Sequence, residues 1–164
     1  MERDNVFIHE SSIVSDNSTI GSNTKIWHFS HIRENVTIGE NVIIGQNVYI
    51  DEGVIIGNNV KIQNNVSIFK GVFIENNVFI GPSVVFTNDL YPKVEEWDES
   101  MIVKTHIRNN VSLGANSTII AVVDIVLYNL LCAVSVVSKN IIKNSIAFGN
   151  PANIKSINFR KELF

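Results

Sequence analysis

Few side chains in this chain of 164 residues can do chemistry, and they stand in recognisable groups. His28 and His31 are three apart, His9 precedes His28 by 19 residues, and His106 stands alone further on. Histidines suggest either a general base or a metal site. A base must reach the proton it removes directly or through one water. A zinc site needs at least three converging ligands. Cys132 is the sole cysteine, which excludes an intramolecular disulfide framework and a multi-cysteine metal site. It reads as a small buried hydrophobe. Asn88 offers another chemistry: an amide is no base near neutral pH, but its oxygen accepts a hydrogen bond and can orient a donor. The alternative is an ordinary turn asparagine. Asp89 beside it is the nearest carboxylate to take a proton. Lys93 can pair with a phosphate or a carboxylate, or remain a solvated lysine.

The elements that must position these residues follow from a repeat. The chain holds 25 Ile, 21 Val and 22 Asn but only 6 Leu, a composition of short strands and tight turns. An apolar residue recurs every six positions, from Ile8, Val14 and Ile20 through to Ile80 and Phe86, fourteen hexads in phase. The fifth position of each hexad is Ser12, Ser18, Thr24, Ser30 and then valine from Val36 to Val84. Glycine often follows the lead residue, as at Gly21, Gly39, Gly45, Gly57 and Gly81. A six-residue period fits neither a helix nor a flat strand. It fits a coil with corners, in which two residues per hexad point inward. No such coil is stable alone, so the stability is that of a stack.

The phase breaks at Asn88. Residues 89–106 read as an inserted loop carrying Tyr91, Pro92 and Trp97, and the hexads resume at Ile107 and run to Val137. A long loop in a compact fold points to function. The tail 153–164 is amphipathic and reads as a short helix or a strand. The expectation is one all-β domain over 1–164: hexads about 8–88, loop 89–106, hexads about 107–142 and tail 143–164. A hydrophobic fraction of 45% with 18% charged residues excludes a disordered chain, and a net charge of -3 argues against a nucleic-acid binder. No apolar segment follows Met1-Glu2-Arg3-Asp4, so a cytoplasmic protein is expected. The apolar run 119–137 keeps the hexad phase and contains Asp124 and Asn129, which argues against a membrane span.

Three stretches are more specific: Ile26-Trp27-His28-Phe29-Ser30-His31-Ile32, Asn59 to Ser67, and Gly81-Pro82-Ser83-Val84-Val85-Phe86-Thr87-Asn88-Asp89. Over about residues 6–152 the chain resembles hexapeptide-repeat acyltransferases, closest to bacterial N-acetyltransferases of nucleotide-linked 3-amino sugars. Those act on UDP-linked 3-amino glucuronate or dTDP-linked 3-amino hexoses for lipopolysaccharide O-antigen and related glycans. The resemblance implies a left-handed parallel β-helix with three hexads per triangular coil, acetyl-CoA as acyl donor and no metal. It matches Asn88 to the family's Phe-Thr-Asn motif and Gly114 and Ala115 to a Leu-Gly-Ala-Asn whose backbone N–H groups approach the thioester. It places Lys139 and Pro151 along the rest of CoA.

With 18 residues per coil, the 57 residues between His31 and Asn88 amount to just over three coils, or roughly 14–15 Å. The histidines are then nucleotide contacts rather than the base, and the column His28, Gln46, Asn64, Pro82 is a polar stripe leading to the coil of Asn88. A sugar amine titrates near the α-amino value of about 7.7–8, so positioning replaces a strong base. Ile43, Tyr49, Ile55, Phe73 and Phe79 point outward and suggest a homotrimer with sites between subunits. Val122, Val126, Cys132 and Val134 stand where such relatives usually carry glycine, which predicts positive-φ strain in the CoA half. Three alternatives remain: a sugar O-acetyltransferase, which would want a histidine near the thioester; a degenerate non-catalytic β-helix; and a zinc site built on the histidines.

Overall fold

The computed structural model describes residues 5–95 and 97–157. Along them the chain visits three sheets in rotation. The first begins at Phe7–Ile8 and Lys25–Ile26, the second at Ile13–Val14 and His31–Ile32, the third at Thr19–Ile20 and Thr37–Ile38. Pairing is parallel with a register of 18, as in Lys25↔Ile43, His31↔Tyr49 and Thr37↔Ile55. The three-hexad coil is therefore the real unit of the stack.

The hexad explains the element. Each strand is only about two residues long, an outward one followed by the inward lead residue. The lead isoleucines from Ile26 to Ile80 and the valines from Val36 to Val84 are buried. Between strands the chain bends through a residue with positive φ, and Asn23, Asn41, Asn47, Asn59, Asn65 and Asn77 all take this conformation. Asparagine is the residue that visits it most cheaply after glycine. The coils are joined by bonds such as Lys25 N–H to Val42 O and Gly45 N–H to Ile62 O, both 2.8 Å.

Serine and threonine replace valine at the fifth position in the first coils for a reason visible in the bonding. Ser30 Oγ donates to Gly45 O at 2.9 Å and accepts from Val48 N–H at 3.1 Å, so a buried hydroxyl stitches two coils together. Thr24 does the same with Gly39 O and Val42 N–H.

The insertion is shorter than expected. Strand Thr105–Ile107 pairs with Val72–Ile74, so Thr105 and His106 belong to the third sheet and not to the loop. The spacing there is 33 instead of 18, and the excess falls on residues 89–103. The lead residue Ile107 alone carries the hexad phase, which hides the two strand residues before it. Val103 N–H donates to Asn88 O at 3.0 Å and closes the neck of the loop. At the far end, Asn153–Ile157 is a strand antiparallel to Ser145–Phe148. The rest of the expected amphipathic tail, 158–164, lies outside the described residues. The run 119–137 is divided among short strands, and no helix among the described residues is long and apolar enough to cross a membrane.

Two of the four expected strained positions are not strained. Val122 and Val134 do hold positive φ, at 78° and 60°, but Val126 and Cys132 do not. Glycine after a lead residue serves another purpose: a Cβ on Gly39 would lie 2.3 Å from Asn58 Oδ1 and 2.7 Å from Gly57 C. The glycine is required by close approach of the next coil, not by its own φ.

Candidate functional site

Each coil has three corners. The first corner follows the first sheet and holds Trp27, His28 and Phe29, then Gln46, Asn64, Pro82, Gly114 and Ala115 at successive levels. The second follows the second sheet and holds Lys70, Asn88, Ala121 and Lys139. The third holds Glu40, Asn58, Asn76 and Asn109. The expected site residues therefore divide between two corners. His28, Gln46, Asn64, Gly114 and Ala115 line the first; Asn88, Asp89, Lys93 and Lys139 belong to the second or its loop. His31 lies on the second sheet between them, and Pro151 sits in the turn beside Ala152, whose N–H donates to Val136 O at 2.8 Å. The polar stripe reaches the level of Asn88 at Pro82 but stays one strand, Val85–Phe86, away from it. Within one chain the two groups do not converge.

Register also separates His31 from the second-corner group. It lies three levels below Val85 through Tyr49 and Ser67. Its ring packs edge-on against Tyr49 with centroids 5.8 Å apart. His9 and His28 stack face to face at 3.4 Å, and His106 stacks on Phe73 at 5.0 Å in the third sheet. His9 and His28 form a pair, His31 and His106 lie on the other two sheets, and no group of three His, Cys, Asp or Glu among the described residues could hold a metal ion.

The second corner gathers polar groups without partners. The Asn88 side chain is half-buried and makes no hydrogen bond among the described residues. Asp89 Oδ1 accepts from Tyr91 N–H at 2.8 Å, which folds the start of the loop, while Asp89 Oδ2 is buried with no partner. One level above Asn88, Ala121 N–H donates to Thr87 Oγ1 at 2.9 Å. Thr87 and Ala121 were not singled out by sequence, although Thr87 precedes Asn88 in the same motif. The loop is tied down over this corner: Lys70 Nζ bridges Glu52 at 3.2 Å and Glu99 at 3.0 Å, and Asp98 Oδ1 caps the short 3-10 turn Glu99–Met101. Its hydrogen bonds to Glu99 and Glu52 raise the Lys70 pKa. Tyr91 and Trp97 are exposed on the loop surface.

On the first corner the fit to an acyl thioester is narrower than the motif suggests. Gly114 N–H is already spent on Leu131 O at 2.8 Å. Ala115 N–H has no acceptor among the described residues, because the residue above it, Ala133, has no side-chain oxygen. Ala115 can thus offer a donor to a carbonyl oxygen, and Lys139 an exposed cation to a phosphate. Asn64 is partly committed, since its Oδ1 accepts from Gln46 N–H at 2.9 Å.

Residues 17–52 and 35–70 match the family model of the bacterial transferase hexapeptide (six repeats). No curated protein matches the sequence. Among solved structures, the acetyltransferase domain of PglB from Neisseria gonorrhoeae superposes with a TM-score of 0.58 at 17% identity, over 92% of this chain and 57% of that one. This chain thus spans little more than half of that domain. A hexapeptide-repeat acetyltransferase from Vibrio cholerae, solved with acetyl coenzyme A, gives 0.58 at 23% identity over 70% and 69%. The UDP-N-acetylglucosamine acyltransferase of Campylobacter jejuni gives 0.62 at 20% over 98% and 72%. At these identities the shared property is the fold.

Proposed function

For a chain that carries the bacterial-transferase hexapeptide repeat in a left-handed parallel β-helix, we propose acetyl-CoA-dependent N-acetylation of an amino sugar linked to a nucleotide, in the assembly of a bacterial surface polysaccharide. The observation that carries this reading is the second corner: an unpartnered Asn88 amide beside an unpartnered, buried Asp89 oxygen under a tethered loop. An acetyltransferase domain and a UDP-N-acetylglucosamine acyltransferase among the solved structures of this fold support it.

Acetyl-CoA supplies an activated acetyl thioester. The protein's part is positional. Asn88 Oδ1 accepts a hydrogen bond from the neutral acceptor amine and turns its lone pair toward the carbonyl carbon. As the C–N bond forms and the C–S bond breaks, one proton leaves nitrogen, and the adjacent Asp89 carboxylate is assigned to take it. Ala115 N–H stabilises the developing oxyanion. Because Ala115 and Asn88 stand on different corners, the complete site needs the first corner of one copy facing the second corner of another. The outward Ile43, Ile55 and Phe79, each more than a third exposed, are the surface a homotrimer would bury.

One observation favours a second reading, a β-helix that has lost catalysis. Val122 and Val134 hold left-handed φ on the two corners that would carry CoA. A thermal-shift titration with acetyl-CoA separates the two. Stabilisation that saturates with ligand supports the transferase, and a melting temperature unmoved by millimolar acetyl-CoA leaves the non-catalytic reading.

A further inference from the structure

The first and third corners treat their backbone donors differently. On the third, the N–H groups of Glu40, Asn58 and Asn76 are capped by Asn58, Asn76 and Asn109 one level up, at 2.8, 2.8 and 3.0 Å. Asn109 N–H is capped by Glu75 at 3.0 Å. From Glu40 to Asn109 the corner is closed by its own side chains. On the first corner Gln46 has such a cap, from Asn64, and Phe29 N–H is capped by Ser11 Oγ at 3.1 Å. The N–H groups of His28 and Asn64 make no hydrogen bond among the described residues. Above Asn64 stands Pro82, whose ring offers no acceptor. Two donors of this corner are therefore left without a partner among the described residues.

At the lower end of the same corner stand two exposed rings, Trp27 at 41% and Phe29 at 61% exposure. Phe29 holds φ 58° in a row otherwise occupied by Asn47, Asn65, Ser83, Asn116 and Val134. A bulky aromatic in the left-handed region is a genuine outlier, and such residues gather at ligand sites. Phe7 backs Trp27 with ring centroids 5.3 Å apart, and His9 backs His28.

We propose that the first corner binds the nucleoside diphosphate of the acceptor: the base stacks on Trp27 and Phe29 with a base carbonyl accepting from His28 N–H, and the diphosphate accepts from Asn64 N–H. The inference rests on the nucleotide-sugar reading above and names how that nucleotide is held. His28 and Asn64 lie two levels apart, about 10 Å, the reach of a nucleoside from base to diphosphate. The sugar then falls at the next level, that of Pro82 and Asn88. Stacking accepts any base with a π-face, so uracil and thymine are both suited.

The test is calorimetry on the full chain with UDP, dTDP, pyrophosphate and acetyl-CoA as separate probes. The variants are Phe29→Asn, which restores the residue common in that row and so retains the coil, and Trp27→Leu. Expected are binding of UDP and dTDP, a loss of about tenfold or more in each variant, and unchanged acetyl-CoA affinity. Undiminished UDP and dTDP binding in both variants overturns the inference. So does pyrophosphate binding as tight as UDP, which would mean that the base is not read. A change of oligomer size in Phe29→Asn also overturns it, because the rings would then be a contact between copies. Acetyl-CoA binding without any nucleoside diphosphate binding removes this site but leaves acetyl transfer standing. Failure of both ligands removes the transferase reading as well.

Discussion

Asn88 is free to orient an amine because no other side chain claims its amide. Most asparagines of the corners are spent: Asn58, Asn76 and Asn109 cap backbone N–H groups one level below, and Asn47 donates to Asn65 at 3.0 Å. Asn88→Ala should therefore lower kcat by about a hundredfold and leave acetyl-CoA affinity unchanged in calorimetry. His28→Asn and His31→Asn should raise KM for the nucleotide sugar and spare kcat, the signature of lost uniform binding. If His31→Asn abolishes turnover while Asn88→Ala stays active, histidine is the base and the assignment is wrong. At this scale the sequence was legible where a motif named the residue and illegible where geometry decided. The type of residue 126 says nothing of its φ, so the strain expected at Val126 and Cys132 had no physical basis, whereas that at Val122 and Val134 did. Val134→Asn should raise stability by about 1–2 kcal/mol in thermal denaturation. Val126→Gly should lower it by about 0.5–1 kcal/mol, the entropic cost of glycine.

The insertion is the element that distinguishes this stack from a plain solenoid. Its neck is closed by Val103 N–H on Asn88 O, so excision of 89–103 leaves the coil a short path. The excised protein should stay folded and assembled by light scattering and lose transfer; unchanged turnover would take the loop out of the mechanism. The stack has a second fastening at the third corner. Arg108 holds Asp124 through two bonds of 2.9 and 2.8 Å and reaches Glu75 at 3.0 Å. These contacts lower the Asp124 pKa below the ordinary aspartate value of about 3.9. The stabilisation is present above that pH and is lost as the pH falls through the folded value. Arg108→Ala should therefore melt below wild type at pH 7, and the gap should shrink once the pH drops under about 3.9. The hexads made the strands readable almost residue by residue. The loop boundary was missed because Thr105 and His106 lack the apolar lead residue that carries the phase. The Lys70–Glu99 tether was unreadable because nothing in sequence relates two residues 29 apart.

For the whole molecule, the division of polar groups between two corners makes assembly a requirement of the proposed mechanism. The register of 18 followed from the resemblance, which implies three hexads to a coil, and so did the separation of His31 from Asn88 along the axis. The lateral separation of the first and second corners was legible too, since the 60 residues between His28 and Asn88 are three coils and one further hexad, which is one corner on; the polar stripe traces height alone. Light scattering should report a trimer of the 18.3 kDa chain; a stable monomer at micromolar concentration would dismantle the shared site. The most direct measurement is acetyl transfer from acetyl-CoA, followed by thiol release, to UDP- and dTDP-linked 3-amino sugars and their 3-hydroxy counterparts. The account predicts turnover with an amine acceptor and none with the matching hydroxyl sugar. Equal turnover on the hydroxyl sugars, or none on any acceptor although acetyl-CoA binds, would contradict it.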